Sequence, residues 1–301
     1  KPQTPNPKPQ TPNPKPLLPA VNFIKMHIAS SEEIQFYQKC LNLGKRIDGR
    51  LPNQLRSFEL CQGESVINTS NGSSRLFLPE ENLTILVGIK ADVVSLADNP
   101  DQALVTLKIS SSQTKSTTAL EKAYMEKVLV EMQECFQSML QKYATSSKLV
   151  LVEKKLAWNV HVDLYIDGAI GYANMDHCSF AIRAALESCI LPEVDVNLNS
   201  VSNEYTFTVK DTVERPFYGT DLPHFLVGGY NRNLVFFDLN PQESLACECL
   251  FLASILPNGQ IQDLRKIDGG DIRLEGIVQI VNELGRYSRA LYRPVQMQPS
   301  S

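Results

Sequence analysis

Two blocks of strand-like sequence, each closed by a helix-like segment, limit the folds open to this chain. In the first block apolar residues alternate with polar ones, as they do in strands that bury one face. Strands are predicted at residues 57–61, 65–68, 74–78, 83–94 and 104–110. A long helix is then predicted over residues 118–143, because apolar side chains recur there at helical spacing.

The second block has the same style of organisation. A strand at residues 156–166 and a helix at 176–189 precede further strands at 204–209, 225–227, 233–238, 245–255 and 260–266. The last helix, residues 274–291, is expected to turn six apolar side chains inward: Ile277, Ile280, Val281, Leu284, Tyr287 and Leu291. Sheets followed by helices predict an α+β fold with two sheet-plus-helix halves, at about residues 54–192 and 204–293.

A proline-rich segment precedes both blocks. Residues 1–26 hold eight of the chain's 18 prolines and repeat the heptad KPQTPNP, so we expect a disordered tail that buries no apolar surface. Residues 27–301 are predicted to form one domain, which opens with a short helix at a capping box of Ser30 and Glu33. No apolar run approaches the roughly 18 residues needed to cross a bilayer, so no membrane contact is expected.

Charge and cysteine content narrow the function classes. The chain has 29 Lys and Arg residues against 33 Asp and Glu residues, and residues 1–26 contain four lysines and no acid. The remainder therefore carries a formal charge of −8, which disfavours nonspecific binding of nucleic acid and leaves RNA contact to a local basic surface. Seven cysteines, an odd number among apolar residues, indicate a reducing compartment.

Several segments resemble the RNase PH family, in the same order along the chain. Residues 45–56, KRIDGRLPNQLR, resemble the segment that precedes the first strand in that family, and residues 70–75, SNGSSR, resemble its next hairpin. Similar segments follow at residues 84–91, 162–164, 179–186, 238–243 and 265–270. Together the resemblance covers about residues 30–293.

The resemblance implies an RNase PH-like β-α-β-α fold and a place in a ring of six subunits. Among family members, the sequence is most similar to a noncatalytic ring subunit of the exosome core. The implied partners are the other RNase PH-like ring subunits, cap subunits with RNA-binding domains, an associated hydrolytic nuclease, and RNA threaded through the channel. The implied role is support of 3′→5′ RNA processing and degradation, including ribosomal RNA processing, in the nucleus, nucleolus and cytoplasm.

The sequence departs from the catalytic members of this family at two places. In those members a Gly-Arg-Ser loop at the start of the helix after the first sheet holds the attacking phosphate, and aspartates on a late strand complete the site. An anion that attacks an anionic backbone needs positive charge and N–H donors. Residues 122–133 contain no arginine and carry Glu126 and Glu131, and residues 239–252 contain no aspartate. We therefore expect no catalytic residue, no cofactor and no metal.

Two other functions remain open from the sequence. The chain could be a catalytic, phosphate-dependent 3′→5′ exoribonuclease with an unusual site, or a free RNA-binding protein outside any ring. Phosphate-dependent shortening of RNA would indicate the first function, and tight RNA binding by the monomer would indicate the second.

Four arginines are the candidate RNA-binding residues: Arg46, Arg50, Arg56 and Arg75. A guanidinium group binds phosphate with two parallel hydrogen bonds, so a strip of arginines could face RNA. The alternative is that they pin residues 45–56 through ion pairs to acids of the body or of a neighbouring subunit. Both interpretations remain open at this point.

Other groups have a functional and a structural interpretation. Asp238, Glu243 and Glu248 could assist a metal, but a turn that carries acids usually lies in solvent. Asp163 and Asp167 could be catalytic carboxylates or could pair with arginines. His161, His177 and His224 lack the spacing of a metal site or of a catalytic triad. Cys247 and Cys249 are separated by one residue, so the alternation of side chains along a strand would place both on the same face.

Overall fold

A computed structural model describes residues 30–96, 104–112, 118–144, 149–153, 155–199, 204–216 and 222–291. The predicted tail, residues 1–26, lies outside this part of the chain, and the limits of the predicted domain and halves stay predictions. No helix in the described ranges is long and apolar enough to span a membrane.

The first sheet contains six strands. They are β1 (Glu59–Gln62), β2 (Gly72–Leu78), β3 (Leu83–Ser95), β4 (Val105–Ser111), β5 (Val150–Val152) and β6 (Leu156–Asp167). Their order is β1-β2-β3-β6-β4, and β5 pairs with the start of β6. Only β4 and β6 run parallel among these pairs. In β3 alternate residues are buried, as the predicted period of two requires.

The remaining strands form a ribbon and a second sheet. The ribbon consists of β7 (Ile190–Asn199) and β8 (Glu204–Pro216). The second sheet is antiparallel, in the order β10-β9-β11-β12, with β9 (His224–Asn231), β10 (Leu234–Phe237), β11 (Cys249–Ile255) and β12 (Ile261–Gly269).

The described ranges contain five α-helices. They are α1 (Ser31–Asn42), α2 (Ala119–Ala144), α3 (Met175–Glu187), α4 (Pro241–Ala246) and α5 (Leu274–Leu291). A 3-10 turn, Tyr172–Asn174, leads directly into α3. The helix α3 contacts β2 and β3 on one side and β9 on the other, so it packs between the two sheets. It passes so close to Gly72 that a Cβ there would lie 2.6 Å from the Ala185 carbonyl oxygen.

Most predicted elements are confirmed, and α+β is the correct class. Ser30 caps α1 by accepting a hydrogen bond from the Glu33 N–H at 3.1 Å. The final helix begins and ends at the predicted residues. Its buried side chains include Ile280, Leu284 and Tyr287, and the Tyr287 ring stacks on Phe237 with centroids 4.5 Å apart.

Three expectations were wrong, and one strand was missed. Residues 65–68 form turns and no strand, because the chain folds back there before β2. The segment predicted as a strand at 245–255 is divided between α4 and β11, since a capped turn begins a helix at Pro241. Strand β7 was not predicted. Ile277 and Val281 are each 41% exposed, so they do not face the core.

Candidate functional site

The turn that follows β10 is built by a helix cap. Asp238 adopts a left-handed backbone conformation with φ of 48°, which an aspartate tolerates better than a bulky residue. The Asn240 side chain accepts from the Glu243 N–H at 2.7 Å, and the Glu243 carboxylate accepts from the Asn240 N–H at 3.0 Å. With Pro241 at the first helical position, this capping box starts α4 and fixes the direction of the Glu243 side chain.

Arg46 binds the Glu243 carboxylate in a bidentate ion pair. Its Nε donates to Oε1 at 2.8 Å and its Nη2 donates to Oε2 at 2.5 Å. The same guanidinium also donates to the carbonyl oxygens of Phe237 at 3.0 Å and Asp238 at 2.7 Å. Arg46 is 6% exposed and Glu243 is 0% exposed. The pair therefore closes on itself inside the protein and leaves no donor for a phosphate.

Arg56 holds Asp238 in the same way. Its Nε donates to Asp238 Oδ1 at 2.8 Å, and its backbone N–H donates to Oδ2. The remaining nitrogens donate to the Ala173 carbonyl oxygen at 2.7 Å and to the Glu81 carboxylate. Burial alone would raise the pKa of Asp238, but His177 and the bonded Arg56 bring that pKa below its usual value. Asp238 is thus an ionised, fully partnered carboxylate.

Arg50 completes the group, which we call the arginine–carboxylate cluster: Arg46, Arg50, Arg56, Asp48, Glu81, Asp238 and Glu243. Its Nε donates to Asp48 Oδ2 at 2.8 Å, and its Nη1 donates to the Asp238 carbonyl oxygen at 3.0 Å. Its side chain is 9% exposed. Burial raises the pKa of Asp48, and hydrogen bonds from Arg50 outweigh that effect and lower it. Three guanidinium groups thus face four carboxylates, and no net positive charge is left for an anionic ligand.

Three buried ionisable groups lie beside this cluster. Burial lowers the pKa of His177 to about 4, although the Asp238 carboxylate 3.8 Å away raises it. Burial, with Arg183 and His177, lowers the pKa of His224 to about 3. Burial and the nearby Asp238 raise the pKa of Asp176 well above its usual value, while its Oδ1 accepts from the Val227 N–H at 2.6 Å. The two histidines are neutral near pH 7, as low-dielectric surroundings require.

The segment before α3 adjoins the cluster. Arg56 bonds the carbonyl of Ala173, and the 3-10 turn at Tyr172–Asn174 contacts α4. On its other side the Tyr172 hydroxyl donates to Glu131 Oε2 at 2.5 Å. The sequence analysis looked for a phosphate-binding loop at residues 122–133 and found none, but the helix start that lies beside the 238–243 turn is that of α3. Its preceding segment, residues 168–174, reads GAIGYAN and also contains no arginine.

The four predicted RNA-binding arginines do not form one exposed strip, and their contact with RNA stays a prediction. Arg46 and Arg56 are buried and bonded to carboxylates, because residues 45–56 fold against the turn after β10. Arg50 is nearly buried beside them. Arg75 lies apart on β2, is exposed, and places its guanidinium carbon 5.8 Å from the Phe77 ring centroid. The structure thus brings three of the four arginines together, and it supports the ion-pair interpretation for those three.

The other candidates do not assemble into a reactive site. Asp163 and Asp167 are exposed on β6, and Glu248 is exposed and accepts from the Arg232 N–H at 3.2 Å. The expectation that acids of the 238–243 turn lie in solvent was wrong, since arginines neutralise Asp238 and Glu243 in the interior. Cys247 ends α4 and Cys249 begins β11, so they do not share a strand. No group of three or more potential metal ligands occurs within the described ranges.

Two partners of Arg56 in this region were not anticipated. Glu81 and the Ala173 carbonyl come from segments far from residues 45–56 in sequence, and nothing in their local pattern signals the contact. The capping box of Asn240 and Glu243 was readable, since an Asn-Pro pair followed by Glu is a helix-start signal.

Comparisons with known proteins agree with this architecture. No family model matches the chain. Two curated relatives, each called exosome complex component Rrp42, come from Thermoplasma volcanium and Thermoplasma acidophilum. They are 26% and 28% identical over 155 residues, which is 50% of this chain and 56% of each relative. A third Rrp42, from Thermococcus onnurineus, is 26% identical over 251 residues, 80% of this chain and 86% of the relative. The chain is a distant homologue of archaeal Rrp42.

Solved structures establish the fold of this homologue. A chain of an archaeal exosome core superposes with a TM-score of 0.64 at 17% identity, over 91% of this chain and 98% of that chain. A chain of the Archaeoglobus fulgidus exosome with RNA bound to the active site gives 0.65 at 18% identity, over 86% and 96% of the two chains. The expected RNase PH-like fold of exosome core subunits is thereby confirmed. The sequence matches span about half the length of the two Thermoplasma relatives, so the comparisons establish ancestry and fold.

Proposed function

We propose that this chain is a noncatalytic RNase PH-like subunit of an exosome core ring, where it supports 3′→5′ RNA processing and degradation, including that of ribosomal RNA. The observation that carries the proposal is the arginine–carboxylate cluster. The two acids of the 238–243 turn, which a catalytic site would need free, are both bound internally by arginines.

The electrostatics of this region support the absence of phosphorolysis. A phosphate ion needs unpaired positive charge or convergent N–H donors. Arg46 and Arg56 are bonded to Glu243 and Asp238, and the segment that precedes α3, residues 168–174, contains no arginine. A phosphate placed here would meet carboxylates whose charges are balanced only by their own arginines.

Exposed apolar side chains support assembly with partners. Along α5 they are Leu274, Ile277, Val278 and Val281, which are 41% to 72% exposed. In and near the arginine segment, Leu43, Ile47 and Leu51 are also exposed. Contiguous apolar surface of this kind marks protein interfaces, since water contact with it is unfavourable. The partners we propose are other RNase PH-like ring subunits, with cap subunits and a hydrolytic nuclease in the same assembly.

The proposed RNA contact of this chain is limited to one residue. The Archaeoglobus fulgidus exosome structure contains RNA, at the active site of that protein. In this chain we assign a weak RNA contact to Arg75, whose guanidinium is exposed beside Phe77. We also propose that the assembly acts in the nucleus, nucleolus and cytoplasm. A catalytic phosphate-dependent exoribonuclease is the alternative function.

The decisive experiment is native mass spectrometry of the assembly recovered with a gently purified, tagged copy of this chain. We expect one copy of the chain among several distinct RNase PH-like partners. A Val278→Glu variant, which puts charge on the exposed apolar side of α5, should lose these partners, while Asn282→Glu on the same helix should retain them. A homohexamer or a lone monomer would contradict the proposal.

An RNA degradation assay on the isolated chain separates the two functions. The noncatalytic function predicts no shortening of a single-stranded RNA with or without inorganic phosphate. Shortening that requires phosphate and releases nucleoside diphosphates would establish the alternative.

A further inference from the structure

Two glutamines of α2 form hydrogen bonds with the outer edge of β4 in the same pattern as a neighbouring strand would. The amide of Gln137 accepts from the Leu107 N–H at 2.7 Å and donates to the Val105 carbonyl oxygen at 2.8 Å. The amide of Gln133 accepts from the Ile109 N–H at 3.1 Å and donates to the Leu107 carbonyl oxygen. Each side-chain amide therefore bridges one donor and one acceptor, as a peptide group does in a sheet ladder.

The spacing explains why a helix can do this. Glutamines four residues apart rise about 6.0 Å along a helix, and backbone groups that face one side of a strand recur about every 6.6 Å. In a parallel pair, alternate residues of the strand point both backbone groups to the same side. Leu104 and the alternate residues that follow it pair with β6, so Val105, Leu107 and Ile109 present their groups outward.

This contact matters because β4 lies at an edge of the first sheet. It is the last strand of the first sheet in the order β1-β2-β3-β6-β4. An edge strand with free N–H and C=O groups is a template for strands of other chains. Here four consecutive outward groups, from the Val105 carbonyl to the Ile109 N–H, are already bonded to α2.

We propose that Gln133 and Gln137 make α2 a surrogate edge strand that closes β4 to strand addition by a second copy of this chain or by a partner. Any pairing of this protein with partners through sheet edges then has to use an edge other than this one. The inference does not rest on the proposed function, because it concerns hydrogen bonds within one chain.

The test compares the full chain with a Gln133→Met/Gln137→Met double variant. Methionine keeps the length and the helix preference of glutamine but cannot bond the backbone. Amide hydrogen exchange at Leu107 and Ile109 should become at least about tenfold faster in the variant. Sedimentation velocity over a wide concentration range should show self-association that the wild type lacks. A Gln35→Met/Gln38→Met variant on α1 is the matched control and should change neither result.

Two outcomes would overturn the proposal. One is a folded variant, judged by circular dichroism, that keeps the wild-type exchange rates and the wild-type mass. The other concerns the wild type alone and applies even if the variant fails to fold. The Leu107 and Ile109 amides should be as protected as those of Thr106 and Lys108, which pair with β6, and exchange at the rate of an open edge would contradict the proposal.

Discussion

Arginines in two regions of this protein have opposite surroundings. Arg46 and Arg56 are buried in the arginine–carboxylate cluster, each with a bidentate or doubly bonded carboxylate, whereas Arg75 is exposed on β2 beside the Phe77 ring. The residue type is the same in both regions, and the difference is whether a carboxylate lies within reach in the fold. An arginine motif therefore indicates anion binding without specifying that the anion is a ligand, since a carboxylate of the same chain satisfies it equally well.

The largest effect is expected from removing one partner of the buried pair. Replacing Arg46 with Met leaves the Glu243 carboxylate buried without its counter-charge, which should cost about 3–5 kcal/mol of unfolding free energy. A Glu243→Leu change added to Arg46→Met should recover part of this loss, because no isolated charge then remains. Urea denaturation of the single and double variants measures both effects.

An exposed ion pair provides the control. Arg286 Nη1 lies 2.8 Å from Glu283 Oε1 at the surface of α5, and replacing Arg286 with Met should change stability by less than about 1 kcal/mol. Equal effects at Arg46 and Arg286 would show that burial of the cluster contributes nothing, and the contrast between the two regions would fail.

Acid should weaken the cluster region through its buried histidine. The pKa of His177 in the folded protein, about 4, lies below the ordinary histidine value of 6.5, so the unfolded chain binds more protons between these values. Stability is therefore present above pH 6.5 and is lost as pH falls toward 4, by about 3 kcal/mol from this residue. Urea midpoints at several pH values should follow this fall.

Two variants test the origin of the acid effect. His177→Asn removes one titrating ring and should reduce the fall in stability between pH 6.5 and 4, leaving the part that the buried His224 contributes. His224→Asn removes the second buried ring, whose pKa burial lowers to about 3, and should reduce the remaining fall. A curve that His177→Asn does not alter would place the acid sensitivity elsewhere.

The fold was predictable where a local pattern decides the structure. The period of two along β3 and the helical spacing in α5 reflect a single buried face, and both elements have nearly the predicted limits. Prediction failed where tertiary context decides. Val281 fits the apolar stripe of α5 but lies at its exposed margin, because the second sheet covers only a narrower strip of the helix.

The site was predictable only in part, for a different reason. Sequence identified Arg46, Arg50, Arg56 and the 238–243 turn separately, but the contacts between them span 182 to 197 residues of sequence. A local pattern carries no information on such a pairing. The same gap explains why Asp238 and Glu243 were expected in solvent, since their burial depends on arginines supplied by a distant segment.

Asp176 permits a smaller test, since its carboxylate lies near the cluster and has no arginine bonded to it in the described part of the chain. Burial raises its pKa, so its ionisation opposes folding as pH rises above the ordinary value near 4. Asp176→Asn keeps an oxygen for the Val227 N–H and should stabilise the protein by about 1 kcal/mol at pH 7. The gain should vanish near pH 3, and a destabilised variant at pH 7 would show that the charged form is needed.

The smallest effect on stability is expected at Arg75, and this variant tests the comparison between the two regions most directly. Its guanidinium is exposed, so Arg75→Ala should change the unfolding free energy by no more than about 0.5 kcal/mol. The same change should weaken crosslinking of RNA to this chain in the assembled complex, because a phosphate contact would lose its donor. Arg183→Ala, which breaks a surface pair with Glu187 at 2.8 Å, is the control and should leave the crosslink unchanged. If Arg75→Ala instead destabilises the fold as Arg46→Met does, its guanidinium has an internal structural role, and the two groups of arginines differ in exposure alone.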